Sequence, residues 1–209
     1  MPRDATETRE RLLREAERLF AREGLYRVTT REITQAAGQR NVSALNYHFG
    51  SRDGVLDVIL TRHGDRIDED RGKRLARTGA DAPTRELVAS LVVPYGSGLE
   101  TEEGRDYLRI VAQMTDAFAA WRDARPGVGP WLQEILGLIE ARPPSLPLAL
   151  RRERVLGMIM LMTAAMADRA RLIEERRRLP LGREAFLANL TDMLVGVLEA
   201  PYNEPSLDG

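Results

Sequence analysis

Apolar residues recur at helical spacing from the first segment onward. Leu12, Leu13, Ala16, Leu19 and Phe20 stand at i, i+1, i+4, i+7 and i+8, which gathers them on one face of a helix. That face stops at Gly24, a residue free to take the left-handed conformation that closes a helix. The stretch TTREITQAAG follows. Its Thr29 and Glu32 have the T-x-x-E spacing of a capping box, in which each side chain satisfies a backbone group at the helix start. Ile33, Ala36 and Ala37 supply the inward face, and Gly38 ends the helix. Asn41 suits the N-cap of a third helix, which runs to about Phe49 before Gly50. Ser51 then caps a longer helix through Val55, Leu56, Val58 and Ile59 to around Arg71.

Beyond Thr78 the pattern stays helical, with breaks at GADAP, GSG, ARPGVGP and ARPPSLP. Apolar faces recur in ELVASLVVPYGSGL, DYLRIVAQMTDAFAAW and PWLQEILGLIEA, and Pro94 should kink or end the first of these. A long helix is expected over Leu150 to Leu179. Its centre, VLGMIMLMTAAMA, is apolar on every side and therefore needs partners in more than one direction. The final helix carries Phe186, Leu187, Leu190, Met193, Leu194, Val197 and Leu198 as one continuous stripe. Strand-like alternation is missing from the first fifty residues, and helical periodicity dominates the rest. The expected fold is all-α: a three-helix N-terminal unit over residues 1–50 and a larger helical domain over 51–209.

Composition narrows the function. The chain has 209 residues, 43% of them apolar and 30% charged, with a net charge of -1, as in an ordinary globular protein. With no cysteine, thiolate chemistry, disulfides and cysteine-based zinc sites are excluded. The N-terminus lacks the apolar stretch of a signal peptide, and no apolar run reaches the length that spans a membrane. A cytoplasmic location without membrane association is expected. Basic residues are almost all arginine, Lys73 being the one lysine, a bias that codon usage explains. Residues 1–52 hold ten Arg and seven acids, a net of +3, which suits a unit that faces nucleic acid on a neutral-to-acidic body.

One stretch asks for a partner. AAGQRNVSALNYHFGSRD, residues 36–53, sets a short polar helix between two glycines. A helix, a tight turn and a second short helix match the helix-turn-helix layout, whose second helix lies in the DNA major groove. Leu45 and Phe49 would dock such a helix on its own domain. Asn can read adenine through two hydrogen bonds, while Ser, Tyr, His and Arg serve bases or phosphates. The starts of both short helices also present backbone N–H groups to phosphate.

The spacing of these elements, RLFAREG, then VTTREITQAAG, then NYHFGSRDGVL, resembles the TetR family of transcriptional regulators over about residues 8–60. The resemblance implies a DNA-binding regulator, more often a repressor, that leaves a palindromic double-stranded operator when a small molecule binds. By position, Thr30, Arg31, Ala44, Tyr47, His48 and Arg52 match family positions that touch DNA, with Arg52 in place of the usual Lys and expected on phosphate. Two departures add candidates. The turn Gly38-Gln39-Arg40-Asn41 is one residue longer than usual and lacks its apolar residue, so Gln39, Arg40, Asn41 and Ser43 are expected toward DNA. Asn46 stands where a Tyr is usual and is expected to read a base.

The resemblance also implies a homodimer formed through the last two helices, with Val155, Ile159, Phe186, Leu190, Met193, Leu194 and Val197 at the interface. Two recognition helices would then meet successive major grooves ~34 Å apart or a multiple of that. It implies a pocket for an unidentified apolar or amphipathic effector, for which Met114, Phe118, Trp121, Trp131, Met158, Met162 and Met166 are the candidate lining and Arg109 and Asp116 the candidate polar anchors. No cofactor, catalytic residue or metal ligand is expected. The two histidines, His48 and His63, form no cluster, and neither GSG nor GVG has the strand and Lys-Ser/Thr of a phosphate loop. The rival reading is a helical protein–protein interaction module without DNA binding.

Overall fold

Local signals set the first four helices. In the computed structural model, which describes residues 2–123 and 125–202, α1 spans Pro2–Glu23 and closes at Gly24, whose φ is 111°. Thr29 and Glu32 form the predicted capping box at the start of α2, Thr30–Ala36. The Thr29 N–H donates to the Glu32 carboxylate at 2.8 Å, and the Glu32 N–H donates to Thr29 Oγ1 at 3.3 Å. Gly38, with φ 69°, closes α2. The Gly38 N–H donates to the Gln35 carbonyl and the Gln39 N–H to the Thr34 carbonyl, the paired bonds of a Schellman motif. A side chain at position 38 would meet nothing within 4 Å, so backbone conformation alone calls for glycine there.

Helix α3 is Ser43–Phe49 and α4 is Arg52–Thr78. Val42, not the predicted Asn41, is the N-cap of α3; Asn41, one residue earlier, accepts from the Ser43 N–H at 2.9 Å through its side chain and from the Ala44 N–H through its carbonyl. Ser51 caps α4 by accepting from the Gly54 N–H. On α2 the inward residues are Ile33, Thr34 and Ala37, and Ala36 is exposed. Thr34 tolerates burial because its hydroxyl donates to the Thr30 carbonyl at 2.6 Å.

Nine α-helices and no strand occur among the described residues, the remaining five being α5 Thr84–Gly96, α6 Glu102–Val111, α7 Pro130–Glu140, α8 Leu148–Glu174 and α9 Arg183–Glu199. Three boundaries differ from the sequence expectation. Helix α4 runs seven residues past Arg71, because its last turns are buried through Arg71, Gly72 and Leu75 and end only at Gly79. The stretch read as one face over DYLRIVAQMTDAFAAW breaks after Val111. There Gln113 takes the Leu25 N–H at 2.6 Å and donates to the Phe20 carbonyl at 3.0 Å, tying the end of α6 to the end of α1. A 3-10 segment, Thr115–Ala120, follows. Helix α8 ends at Glu174, ahead of Leu179, and Arg176 has the positive φ of a chain reversal.

Packing makes two regions that share α4. Phe20, Leu12, Ile33, Leu45, Val55 and Ile59 are fully buried where α1, α2, α3 and α4 meet. The body is built by α5 on α9, α6 on α8, α8 on α9 and α7 on α5 and α8. Helix α4 packs on α1 and α3 at one end and on α5, α6 and α7 further along, while α1 also packs on α6.

Candidate DNA-contacting face and interior cavity

Helix α3 presents a polar face to solvent. Leu45 is fully buried, and Ala44 and Phe49 rest partly buried on the same core. Outward lie Ser43, Asn46 and Tyr47, the last 83% exposed. His48 is half-buried beside Tyr47, ring centroids 5.0 Å apart in an edge contact, and beside Phe49 at 6.2 Å. In the turn Arg40 and Asn41 are exposed and Gln39 is half-buried, and at the start of α2 Arg31 is exposed and Thr30 half-buried. The predicted residues of α2, the turn and α3 thus lie on adjoining segments. The α3 start is less open to phosphate than expected, since Asn41 already takes the Ser43 and Ala44 N–H groups. At the α2 start the capping bonds hold the Glu32 carboxyl below its ordinary pKa, chiefly through the Thr29 N–H and hydroxyl.

Arg52 is placed differently from the expectation. Its Nε donates to the Val28 carbonyl at 2.7 Å, Nη1 donates to Asp53 at 3.0 Å, and the guanidinium lies 4.7 Å from the centroid of the Phe20 ring. The side chain folds inward and fastens α4 to the loop before α2. Ala44, partly buried, offers DNA at most a small apolar contact. Two exposed side chains were not anticipated, Val42 (42%) at the start of α3 and Tyr26 (70%) in the α1–α2 loop. An apolar Val in an otherwise polar turn was the available signal for the first.

Deeper in the chain a cavity of about 110 Å³ lies among α4, α5, α6, α7 and α8, with Met114, Ala117, Phe118, Trp121 and residues 125–128 along one side. Of the predicted lining, Met114, Phe118, Trp121 and Met162 face it, joined by Ile159. Trp131, Met158 and Met166 do not. Trp131 packs on α4 at Gly72, where a Cβ would lie 2.6 Å from the indole. Met158 and Met166 are fully buried elsewhere in the core, Met166 near Gly96 of α5. Arg109 is also elsewhere, paired with Glu174 of α8 at 2.8 Å, and the Asp116 side chain lies outside the described residues.

Sequence reasoning missed the polar residues of the cavity, among them Arg71, Tyr95 and Tyr107, exposed 4%, 3% and 5%. A signal existed for Arg71. It interrupts the stripe Leu60, Gly64, Ile67, Leu75 at the spacing of a core position. Burial lowers its pKa, against the opposing influence of Tyr107, Asp68 and Tyr95. Burial likewise raises both tyrosines, Tyr107 to about 12.

The geometry of α1 to α4 has known counterparts. Residues 12–59 match the model for bacterial regulatory proteins of the tetR family. Over that span the chain carries the N-terminal unit of the tetR family. Solved structures of similar fold extend over nearly the whole chain. NalD of Pseudomonas aeruginosa, described as the secondary repressor of the MexAB-OprM multidrug efflux pump, is 20% identical over 96% of this chain and 100% of its own, with a TM-score of 0.57. A candidate TetR-family regulator from Rhodococcus sp. is 19% identical over 92% and 99%, with a TM-score of 0.56. A search of curated proteins gave no match. The match over residues 12–59 supports a DNA-binding regulator. Among the described residues no helix is long and apolar enough to cross a membrane, and no group of His, Asp and Glu could hold a metal ion.

The residues expected at a dimer interface divide in two. Val155, Ile159, Leu190 and Leu194 are buried inside one protomer, so they serve its own core and have no surface to offer a second copy. Met193 is 48% exposed, and Phe186 and Val197 are half-buried. Met160, 44% exposed on α8, joins them as an outward apolar residue that the sequence reading omitted.

Polar contacts cross from the body to α1. Tyr107 lines the cavity with one side of α6, and its ring stacks on His63 of α4 at 4.7 Å. His63 Nε2 lies 2.6 Å from Glu17 Oε1 of α1, an ion pair whenever the imidazole is protonated. Asp106 sits beside this pair, buried, with Arg22 of α1 3.8 Å away. Burial pushes its carboxyl up to about 7, Arg22 opposing and Glu174 adding to the rise.

Proposed function

We propose that the protein is a dimeric repressor that holds a palindromic operator with two copies of α3 and releases it when a small molecule fills the cavity. We further propose residues 1–50 as the DNA-binding domain and residues 51–209 as the effector and dimer domain, joined through α4. On DNA, Asn46 reads a base, Tyr47, Ser43 and His48 flank it, and Arg31, Thr30, Arg40, Gln39 and Asn41 meet the backbone at either side. Arg52 acts as a fastener behind them. The two-fold interface uses the outer faces of α8 and α9, around Met160, Met193, Val197 and Phe186.

The observation that carries this reading is the contact path between cavity and α1. Tyr107 and Met114 line the cavity. Tyr107 stacks on His63, which meets Glu17, and the residue before Met114, Gln113, bonds the backbone of Phe20 and Leu25. A ligand that displaces either side chain displaces the seat of α1, and with it the spacing of the two α3 helices in a dimer. Coupling of this kind is a difference in ligand affinity between two arrangements of one chain. That NalD, of similar fold, is described as a repressor supports the sign of regulation. The exposed side of α3 is polar, whereas a helix-binding protein module needs an apolar docking face. The test is operator affinity measured with and without each compound that binds the free protein. Weakening by at least one binder is expected, and binders that never change operator affinity would overturn the effector reading.

A further inference from the structure

The cavity pairs apolar walls with buried polar atoms that have no hydrogen-bond partner among the described residues. Arg71 lies 96% buried at its edge. Its Nε has no hydrogen-bond partner among the described residues. The ion-pair oxygen nearest to it, Asp68 Oδ1, is 3.6 Å from Nη1. That carboxylate is already engaged, because Oδ2 accepts from the Trp131 N–H at 3.0 Å and Oδ1 from the Leu132 N–H at 2.7 Å. The start of α7 thus takes up much of the Asp68 charge. Gly129 is part of this arrangement, since a Cβ there would fall 2.2 Å from Asp68 Oδ2.

Tyr95 faces the same space, 3% exposed, and its hydroxyl also lacks a partner. Arg125 is a second guanidinium in the lining, and the described lining residues include no carboxylate. A buried guanidinium N–H and a buried hydroxyl left without partners are costly, and native chains keep few such groups. A ligand oxygen accepting from both would remove the cost.

We propose that the effector is a small organic acid, a monocarboxylate with a single ring or a short aliphatic tail, whose carboxylate sits between Arg71 and the Tyr95 hydroxyl. The remaining walls, Phe118, Trp121, Leu136, Ile159 and Met162, hold the apolar part. Size restricts the class. At about 110 Å³ the space is near that of engineered cavities that admit benzene. This proposal rests on the effector-cavity reading above, and adds the chemistry of what enters.

The experiment is calorimetric titration of the DNA-free, full-length protein with matched acid and amide pairs, benzoate against benzamide and hexanoate against hexanamide. At least one acid should bind about tenfold or more tightly than its amide, as a charge-assisted contact provides. Arg71→Met should erase that preference. Because Arg71→Met removes a buried group and could disturb folding, Tyr95→Phe is the second variant. The Tyr95 hydroxyl has no partner among the described residues, so thermal stability should hold while acid affinity falls several-fold. Amides that bind as tightly as acids, an acid preference that survives in folded Arg71→Met, or no binding by any of the four compounds would overturn the proposal. Operator affinity, measured separately with the same compounds, keeps the two readings apart. Acids that bind through Arg71 without changing operator affinity would sink the regulatory reading and leave this assignment standing.

Discussion

Around α3 the polar side chains stand outward, Asn46 and Tyr47 in solvent, with Leu45 buried beneath them. Around the cavity the order is reversed, and Arg71, Tyr95 and Tyr107 are enclosed by apolar walls. The outward set is open to solvent. In the enclosed set Arg71 Nε and the Tyr95 hydroxyl have no hydrogen-bond partner among the described residues. A polar group's meaning therefore depends on where its desolvation cost has already been met. Exposed groups indicate a partner only through their chemistry and spacing, whereas buried unsatisfied groups indicate one through energy.

The contrast can be tested from the largest effect downward. Phe20 is fully buried among α1 to α4 and carries Arg52 on its ring. Phe20→Ala should cost about 3–5 kcal/mol, seen in urea unfolding, and should abolish DNA binding. Retained acid binding in the same variant would show that the two regions fail separately, and joint loss would break the contrast.

Asp106 tests the junction between them. Its folded carboxyl, raised from 3.8 to about 7, keeps a proton that the unfolded chain has released. Stability from this group is therefore greatest below 3.8 and declines as pH rises toward about 7. Asp106→Asn should abolish this decline and stabilise the protein at pH above 7 by up to a few kcal/mol, measured by thermal unfolding across pH. A variant with the same pH profile as wild type would contradict the assignment.

Smaller effects separate the roles of exposed and folded-back residues. Asn46→Ala should leave stability unchanged and cost ~1–3 kcal/mol of discrimination at one base pair, read by competition between operator variants. Arg52→Ala should do the opposite. It should lower stability by roughly 1–3 kcal/mol, because charged donors to the Val28 carbonyl and Asp53 are lost, and should leave the salt dependence of DNA binding unaltered. Arg40→Ala, on an exposed turn residue, should weaken all sequences alike and reduce the salt slope by about one. If Arg52→Ala instead reduced that slope, Arg52 would be the phosphate contact expected from its position in the family.

Much of the DNA-facing end was legible in the sequence, for a local reason. The Thr29–Glu32 capping box, Gly38 and Gly50 as helix stops, and Ser51 as a cap each act within a few residues, so sequence spacing determines them. Where a long-range contact decided the outcome, the reading went astray. Arg52 matched a DNA-touching position yet turns to Phe20 and Val28, residues distant in sequence. The all-round apolar centre of α8 and the stripe of α9 were legible, but periodicity cannot say which side meets its own chain. Val155, Ile159, Leu190 and Leu194 consequently belong to the protomer's core. The cavity was sought through methionines and aromatics, whereas its most informative members are a charged residue and two tyrosines on otherwise apolar helix faces.

The central claim is that α3 reads DNA, and its most direct test is binding of the purified protein to DNA flanking its own gene, against random DNA, across a salt series. The account predicts preference for the native fragment, two protomers per site, and affinity that falls steeply and linearly on a log–log plot as salt rises. Absent binding, or salt-insensitive binding that ignores sequence, would contradict it.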